Sequence, residues 1–88
     1  MRIWAKEFRD NRMLRDMVVV NEDSQMTRTK KVFAALDEVC MAFDLSVPIW
    51  LDANIADFKR HAKTRFRADS FVDSIDFDFL EFHVIEED

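Results

Sequence analysis

The chain has 88 residues, 49% of them apolar and 35% charged, with a net charge of −5, which suits one small packed domain rather than a disordered segment. It contains no glycine, one proline and one cysteine, which excludes an internal disulfide and the glycine-rich phosphate and dinucleotide loops in their usual form. No apolar run is long enough for a signal peptide or a membrane span, so a cytoplasmic protein with no membrane partner is expected.

The first element reads as a β-hairpin, "RIWAKEF" followed by "RMLRDMVVV", broken at Asp10-Asn11. Opposite charges set its register: Lys6 meets Asp16 and Glu7 meets Arg15 when Trp4 faces Val18 and Phe8 faces Leu14. Slipping by one residue would oppose Lys6 to Arg15. The preferred register implies an odd-numbered loop centred on Asp10, Asn11 and Arg12. It puts Trp4, Phe8, Leu14 and Val18 on one face and Ile3, Met13, Met17 and Val19 on the other. With no glycine available, turns must reach unusual backbone angles with Asn, Asp or Ser.

"NEDSQMT" is a polar connection in which Ser24 or Thr27 can cap a helix. Val32, Phe33, Leu36, Val39, Cys40 and Phe43 then recur at helical spacing from Arg28 to about Phe43. Cys40 within that stripe is expected to be a buried thiol. Pro48 disfavours helical geometry at Val47 and ends the element within "DLSVP". A second helix is expected to open at Asp52, with a stripe of Ile55, Phe58, Ala62 and, at its limit, Phe66. Acids at its start and bases at its end suit the helix dipole. "RADSFVDS" reads as a loop with at most one helical turn. The final "IDFDFLEFHVI" is strand-like, and its phase slip is explained by a bulge near Phe79 or by a strand that begins only at about Asp78. "EED" is expected to be a solvated tail.

These elements predict an α+β fold, a single domain over residues 1–88 in the order β-β-α-α-β. The expected sheet has three mostly antiparallel strands, with helices packed on one face and the last strand beside the first. Its other face would be partly apolar, which favours a homodimer.

The charge distribution raises the main functional question. All 13 Lys and Arg lie within residues 1–68, while residues 69–88 hold eight acids and no base. Within "FKRHAKTRFRAD", Lys59, Arg60, Lys63, Arg65 and Arg67 could neutralise phosphates, with Phe66 as a stacking surface. The same residues read equally as the polar side of a helix, countered by the acidic C-terminal segment within or between chains. The latter reading is preferred for an acidic chain.

No chemistry is assigned. Asp57 and His61 share a helical face, but two ligands do not make a metal site. Asp73, Asp76, Asp78 and Glu81 lack the glycine and ligand spacing of a calcium loop. Ser24, Ser46, Ser70, Ser74 and Cys40 have no histidine at a suggestive spacing. The sequence therefore yields no catalytic, cofactor-binding or metal residue, and an enzyme is not expected. The candidate interaction surface is Lys59, Arg60, Lys63, Arg65 and Arg67, together with Trp50 as the best candidate for a partly exposed anchor, although a place in the core is the preferred reading for that residue. The preferred function is a small interaction module that self-associates or meets a protein partner, with a nucleic-acid-associated accessory protein as the alternative.

Over nearly the whole chain, carried by "IWLDANIADFKRHAKTRF" and "FVDSIDFDFLEFHVIEED", the sequence resembles short uncharacterised proteins of Firmicutes bacteria. That resemblance implies a complete bacterial cytoplasmic protein, and it transfers no functional residue onto these positions.

Overall fold

The computed structural model describes every residue from Met1 to Asp88. Four strands, β1 (Arg2–Arg9), β2 (Arg12–Val20), β3 (Lys63–Phe66) and β4 (Phe79–Glu86), form one antiparallel sheet in the order β2-β1-β4-β3. Two helices, α1 (Arg28–Phe43) and α2 (Asp52–His61), cover one of its faces. The α+β class, the helices on one face and the placement of the last strand beside the first agree with expectation. The count of three strands does not, because a fourth strand was hidden in the basic segment.

The hairpin keeps the three predicted pairs Trp4–Val18, Lys6–Asp16 and Glu7–Arg15, but Phe8 pairs with Met13 rather than Leu14. The reason is the turn. Asp10 and Asn11 both adopt positive φ, 53° and 63°, as a two-residue I′-type turn requires, and this places Arg9 opposite Arg12. The tight turn and the charge pairing are one residue out of step. A bulge at Leu14 absorbs the difference and moves Met13 onto the face of Phe8.

Helix α1 has the predicted bounds and is capped by Thr27, whose Oγ1 accepts from Lys30 N at 3.2 Å. Its buried side comprises Val32, Ala35, Leu36, Val39, Cys40 and Phe43, while Phe33 is half exposed. Asp44 ends it in the left-handed region at φ 56°. No base lies in its last turn, and Arg15 from β2 supplies that charge instead, donating to the Phe43 carbonyl at 2.8 Å and to Glu7 at 2.9 Å.

Helix α2 opens at Asp52 as expected but stops at His61, where Ala62 turns left-handed at φ 54°. The expected continuation to Phe66 is replaced by β3, in which Thr64 and Phe66 are buried while Lys63 and Arg65 are exposed. That two-residue alternation overrides the three-and-four spacing of Phe58, Ala62 and Phe66. Ile55, placed in the expected stripe, is 40% exposed, and Asn54 is buried in its stead.

The sheet lays Ile3, Ala5, Leu80, Phe82, Val84 and Phe66 against the helices. Phe82 and Phe66 are fully buried, and each contributes about 2–3 kcal/mol by leaving water. Trp50 packs edge-on against Phe58, Phe66 and Phe82 with ring centroids 4.9–6.4 Å apart. The terminal acids are not a free tail. Glu87 bonds Arg28 at 2.9 Å, and Asp88 bonds both the buried Lys31 Nζ at 2.8 Å and the Met1 ammonium at 2.7 Å. The acidic end is therefore countered chiefly by Arg28, Lys31 and the Met1 ammonium. Only Glu81 reaches the basic segment, through Arg65.

Candidate interaction surfaces: the open sheet face and the free edge

With the helices on one side, the other face of the sheet is bare, and strand pairing arranges it in rows. One row runs Asp16, Lys6, Glu81, Arg65 across β2, β1, β4 and β3, alternating in charge. Glu81 sits between Lys6 Nζ at 3.2 Å and Arg65 Nε at 3.1 Å, and is itself only 6% exposed. Burial alone would raise its carboxyl pKa, but hydrogen bonds and charge from Lys6 and Arg65 outweigh that and hold it below the usual value. A second row is Val18, Trp4, His83 and Lys63. The His83 imidazole is pushed below its ordinary pKa, first by burial and then by Lys63 and Lys6. A third row brings Met13, Phe8 and Phe79 together, with the two phenyl rings stacked at 5.2 Å.

Cations lie over these rings. Lys6 Nζ is 3.6 Å from the Trp4 ring centroid, and the guanidinium carbons of Arg65 and Arg67 are 4.5 and 5.2 Å from that of Phe79. Trp4 Nε1 donates to Asp16 at 2.7 Å. Strand alternation thus converts a basic run that read as a helix face into cations on a sheet face.

The predicted surface is divided accordingly. Lys59 and Arg60 remain exposed on the last turn of α2, away from Lys63, Arg65 and Arg67 on and just beyond β3. Of the five, only Arg65 forms an ion pair. Lys63, Arg65 and Arg67 also border a polar cleft of about 320 Å³ with Asp57 and His61. Trp50 is part of the aromatic core and floors a shallow groove of about 370 Å³ between the helices, beside Phe33, Ile55 and Lys59. Nowhere do three His, Cys, Asp or Glu side chains converge as metal ligands would. Burial, and to a lesser degree Asp37, pushes the Cys40 thiol up to about 11, which leaves it protonated at neutral pH.

The two edges of the sheet differ. On β3, Asn54 of α2 covers the outer side, its Nδ2 donating to the Arg65 carbonyl at 3.0 Å and to Thr64 Oγ1 at 2.9 Å. On β2 nothing does the same. Met1 and Asn21 exchange both backbone hydrogen bonds at 2.9 Å, so antiparallel alternation turns the N–H and C=O of Asp16, Val18 and Val20 outward. Val18 and Val20 are 43% and 51% exposed along this edge. Sequence reading missed both the fourth strand and this contrast, although "KTRF", with Thr64 and Phe66 alternating with cations, carried the signal for the former.

The chain matches no protein-family model, no curated protein and no solved structure.

Proposed function

We propose that this chain is a small protein-interaction module that self-associates through the free edge of β2, two copies joining their sheets antiparallel. The observation that carries this reading is the unguarded edge itself: a nine-residue strand with outward backbone groups at Asp16, Val18 and Val20 and exposed valines beside them. Soluble proteins ordinarily blunt such edges with charges, bulges or a covering element. Here the bulge at Leu14 and the charge of Arg12 guard only the hairpin end, whereas the β3 edge is covered by Asn54.

A second copy suits this edge by charge as well as by hydrogen bonding. A two-fold pairing centred on Met17 sets Asp16 opposite Val18 and brings Arg12 of each copy towards Glu22 of the other. Pairing centred on Asp16 would oppose two carboxylates and is disfavoured. Because the two-fold axis stands perpendicular to the sheet, both open faces lie on the same side of the joined sheet.

Val18→Pro is the discriminating test. Its N–H points to the free edge, so the change leaves the β1–β2 ladder intact and removes only a donor to the partner. Light scattering across a concentration range is expected to show a dimer for the parent and a folded monomer for Val18→Pro. A parent that stays monomeric at high concentration refutes the proposal, as does a Val18→Pro variant that dimerises with undiminished affinity.

A further inference from the structure

The open face around β3 and β4 combines three features that the edge-pairing proposal leaves unused. Lys6 and Arg65 share one carboxylate, Glu81, and Lys63 and Arg67 add two more cations on and just beyond β3, in a protein whose net charge is −5. Lys63 and Arg67 form no ion pair, and Asp57 and Asp69 only line the same cleft, so their charge can turn to a ligand. The Phe8–Phe79 stack lies among them, partly exposed and flanked by the Arg65 and Arg67 guanidinium groups.

We infer that this face is a binding site for single-stranded nucleic acid, with backbone phosphates at Lys63 and Arg67 and a base stacked on the guanidinium layer that Arg65 and Arg67 lay over Phe79. Charge complementarity selects a polyanion. The rings select one whose bases are free to stack, since a duplex keeps its base faces to itself and a sheet of this width does not enter its grooves through Phe79. The arginines bear on the same point: a planar guanidinium stacks on an aromatic ring and bonds a phosphate oxygen with its edge, which a lysine does not do. Asp16 on β2 and Asp78 at the hairpin end, where it accepts from the Asp10 amide at 2.9 Å, bound the patch and limit it to a few nucleotides. The geometry moves the nucleic-acid reading off the helix: Lys59 and Arg60 lie elsewhere and have no role in it.

The site is remote from the outward groups of β2, being on the opposite side of the sheet order. Val18→Pro is therefore expected to leave nucleic-acid binding per subunit unchanged, and the two proposals fail separately.

The test is fluorescence anisotropy with a labelled single-stranded oligonucleotide, a duplex of the same length, heparin and poly-glutamate, titrated with the full chain at low salt and again at rising salt. Single-strand binding should exceed duplex binding and weaken steeply with salt. Lys63→Ala with Arg67→Ala should lower affinity at least tenfold and reduce the salt slope by about 1.4, whereas Phe79→Leu should lower affinity about tenfold without changing the slope. Circular dichroism checks that each variant folds. If Phe79→Leu does not fold, the Lys63 and Arg67 pair, both on the surface, decides the matter alone. No binding at low salt, equal binding of duplex or poly-glutamate, or full affinity in the Lys63 and Arg67 variant overturns the inference.

Discussion

Asn54 Nδ2 lies 3.0 Å from the Arg65 carbonyl, and this bond ties the second helix to the outer edge of β3. The same amide donates to Thr64 Oγ1, while its oxygen accepts from Leu51 N at 3.0 Å and Ser70 Oγ at 3.3 Å. One buried side chain thereby starts the helix, closes the sheet edge and anchors the following turn.

Replacing Asn54 by Ala should be costly for that reason. It leaves a part-buried backbone carbonyl and N–H and two buried hydroxyls short of a partner. The expected loss is about 2–3 kcal/mol. Asn54→Asp should fare no better, because a carboxylate cannot donate to the Arg65 carbonyl. Urea denaturation of both variants checks this. A shift under about 0.5 kcal/mol for either would show that water replaces the amide freely, and the covered-edge description would have to go.

Glu81 gives a prediction in pH. Its pKa in the folded protein is below the ordinary carboxylate value, so its stabilising effect is complete above the unfolded value near 4.5 and is lost as pH falls through the lower folded value. Glu81→Gln removes the charge that Lys6 and Arg65 share. It should cost about 1–3 kcal/mol at neutral pH and flatten the loss of stability in acid. Denaturation midpoints measured from neutral pH down to strong acid, parent against variant, provide the check. Parallel curves for the two proteins would contradict the assignment.

Most of the architecture was legible because local and tertiary signals agreed. Opposite charges at Lys6–Asp16 and Glu7–Arg15 fixed the hairpin pairing, and the run from Val32 to Phe43 fixed α1. The basic segment failed because two periods overlap in it. Phe58, Ala62 and Phe66 satisfy a helix, while Thr64 and Phe66 satisfy a strand, and only β4 as a partner decides for the strand. Lys31 and Glu81 show a second limit. Each is nearly buried, because its counter-ion comes from a distant part of the chain that no local spacing reveals. The candidate surface was half legible for the same reason. Lys63, Arg65 and Arg67 stand out in the sequence, but the ring that Arg65 and Arg67 lie over, Phe79, belongs to another strand.

His83 predicts a second pH effect, nearer neutrality. Burial first, and the neighbouring Lys63 and Lys6 next, disfavour its protonated form in the folded state. The unfolded chain therefore takes up a proton more readily, and stability should decline as pH drops below the ordinary histidine value of 6.5. His83→Gln should remove this limb of the profile while leaving the Glu81 limb at lower pH. If stability between pH 6.5 and 5 is the same in parent and variant, folding does not perturb the imidazole.

Ala62 carries the last prediction. Three of the four residues at positive φ are Asp10, Asn11 and Asp44, whose short polar side chains tolerate that region, as a glycine-free chain requires. Ala62, at φ 54°, is the exception, and it joins the end of α2 directly to β3 with no loop between them. Its Cβ costs about 1–2 kcal/mol in this conformation. Glycine would relieve that strain but lose about 0.4–1 kcal/mol through the greater freedom of the unfolded chain. Ala62→Gly should therefore stabilise the protein by about 0.5–1 kcal/mol, and Ala62→Val, branched at Cβ, should destabilise it by more than 1 kcal/mol. Thermal and urea unfolding of the pair measure both. A glycine variant weaker than the parent would mean that packing of the Ala62 methyl against the core outweighs the strain, and that the abrupt helix-to-strand switch is held by that contact rather than endured despite its cost.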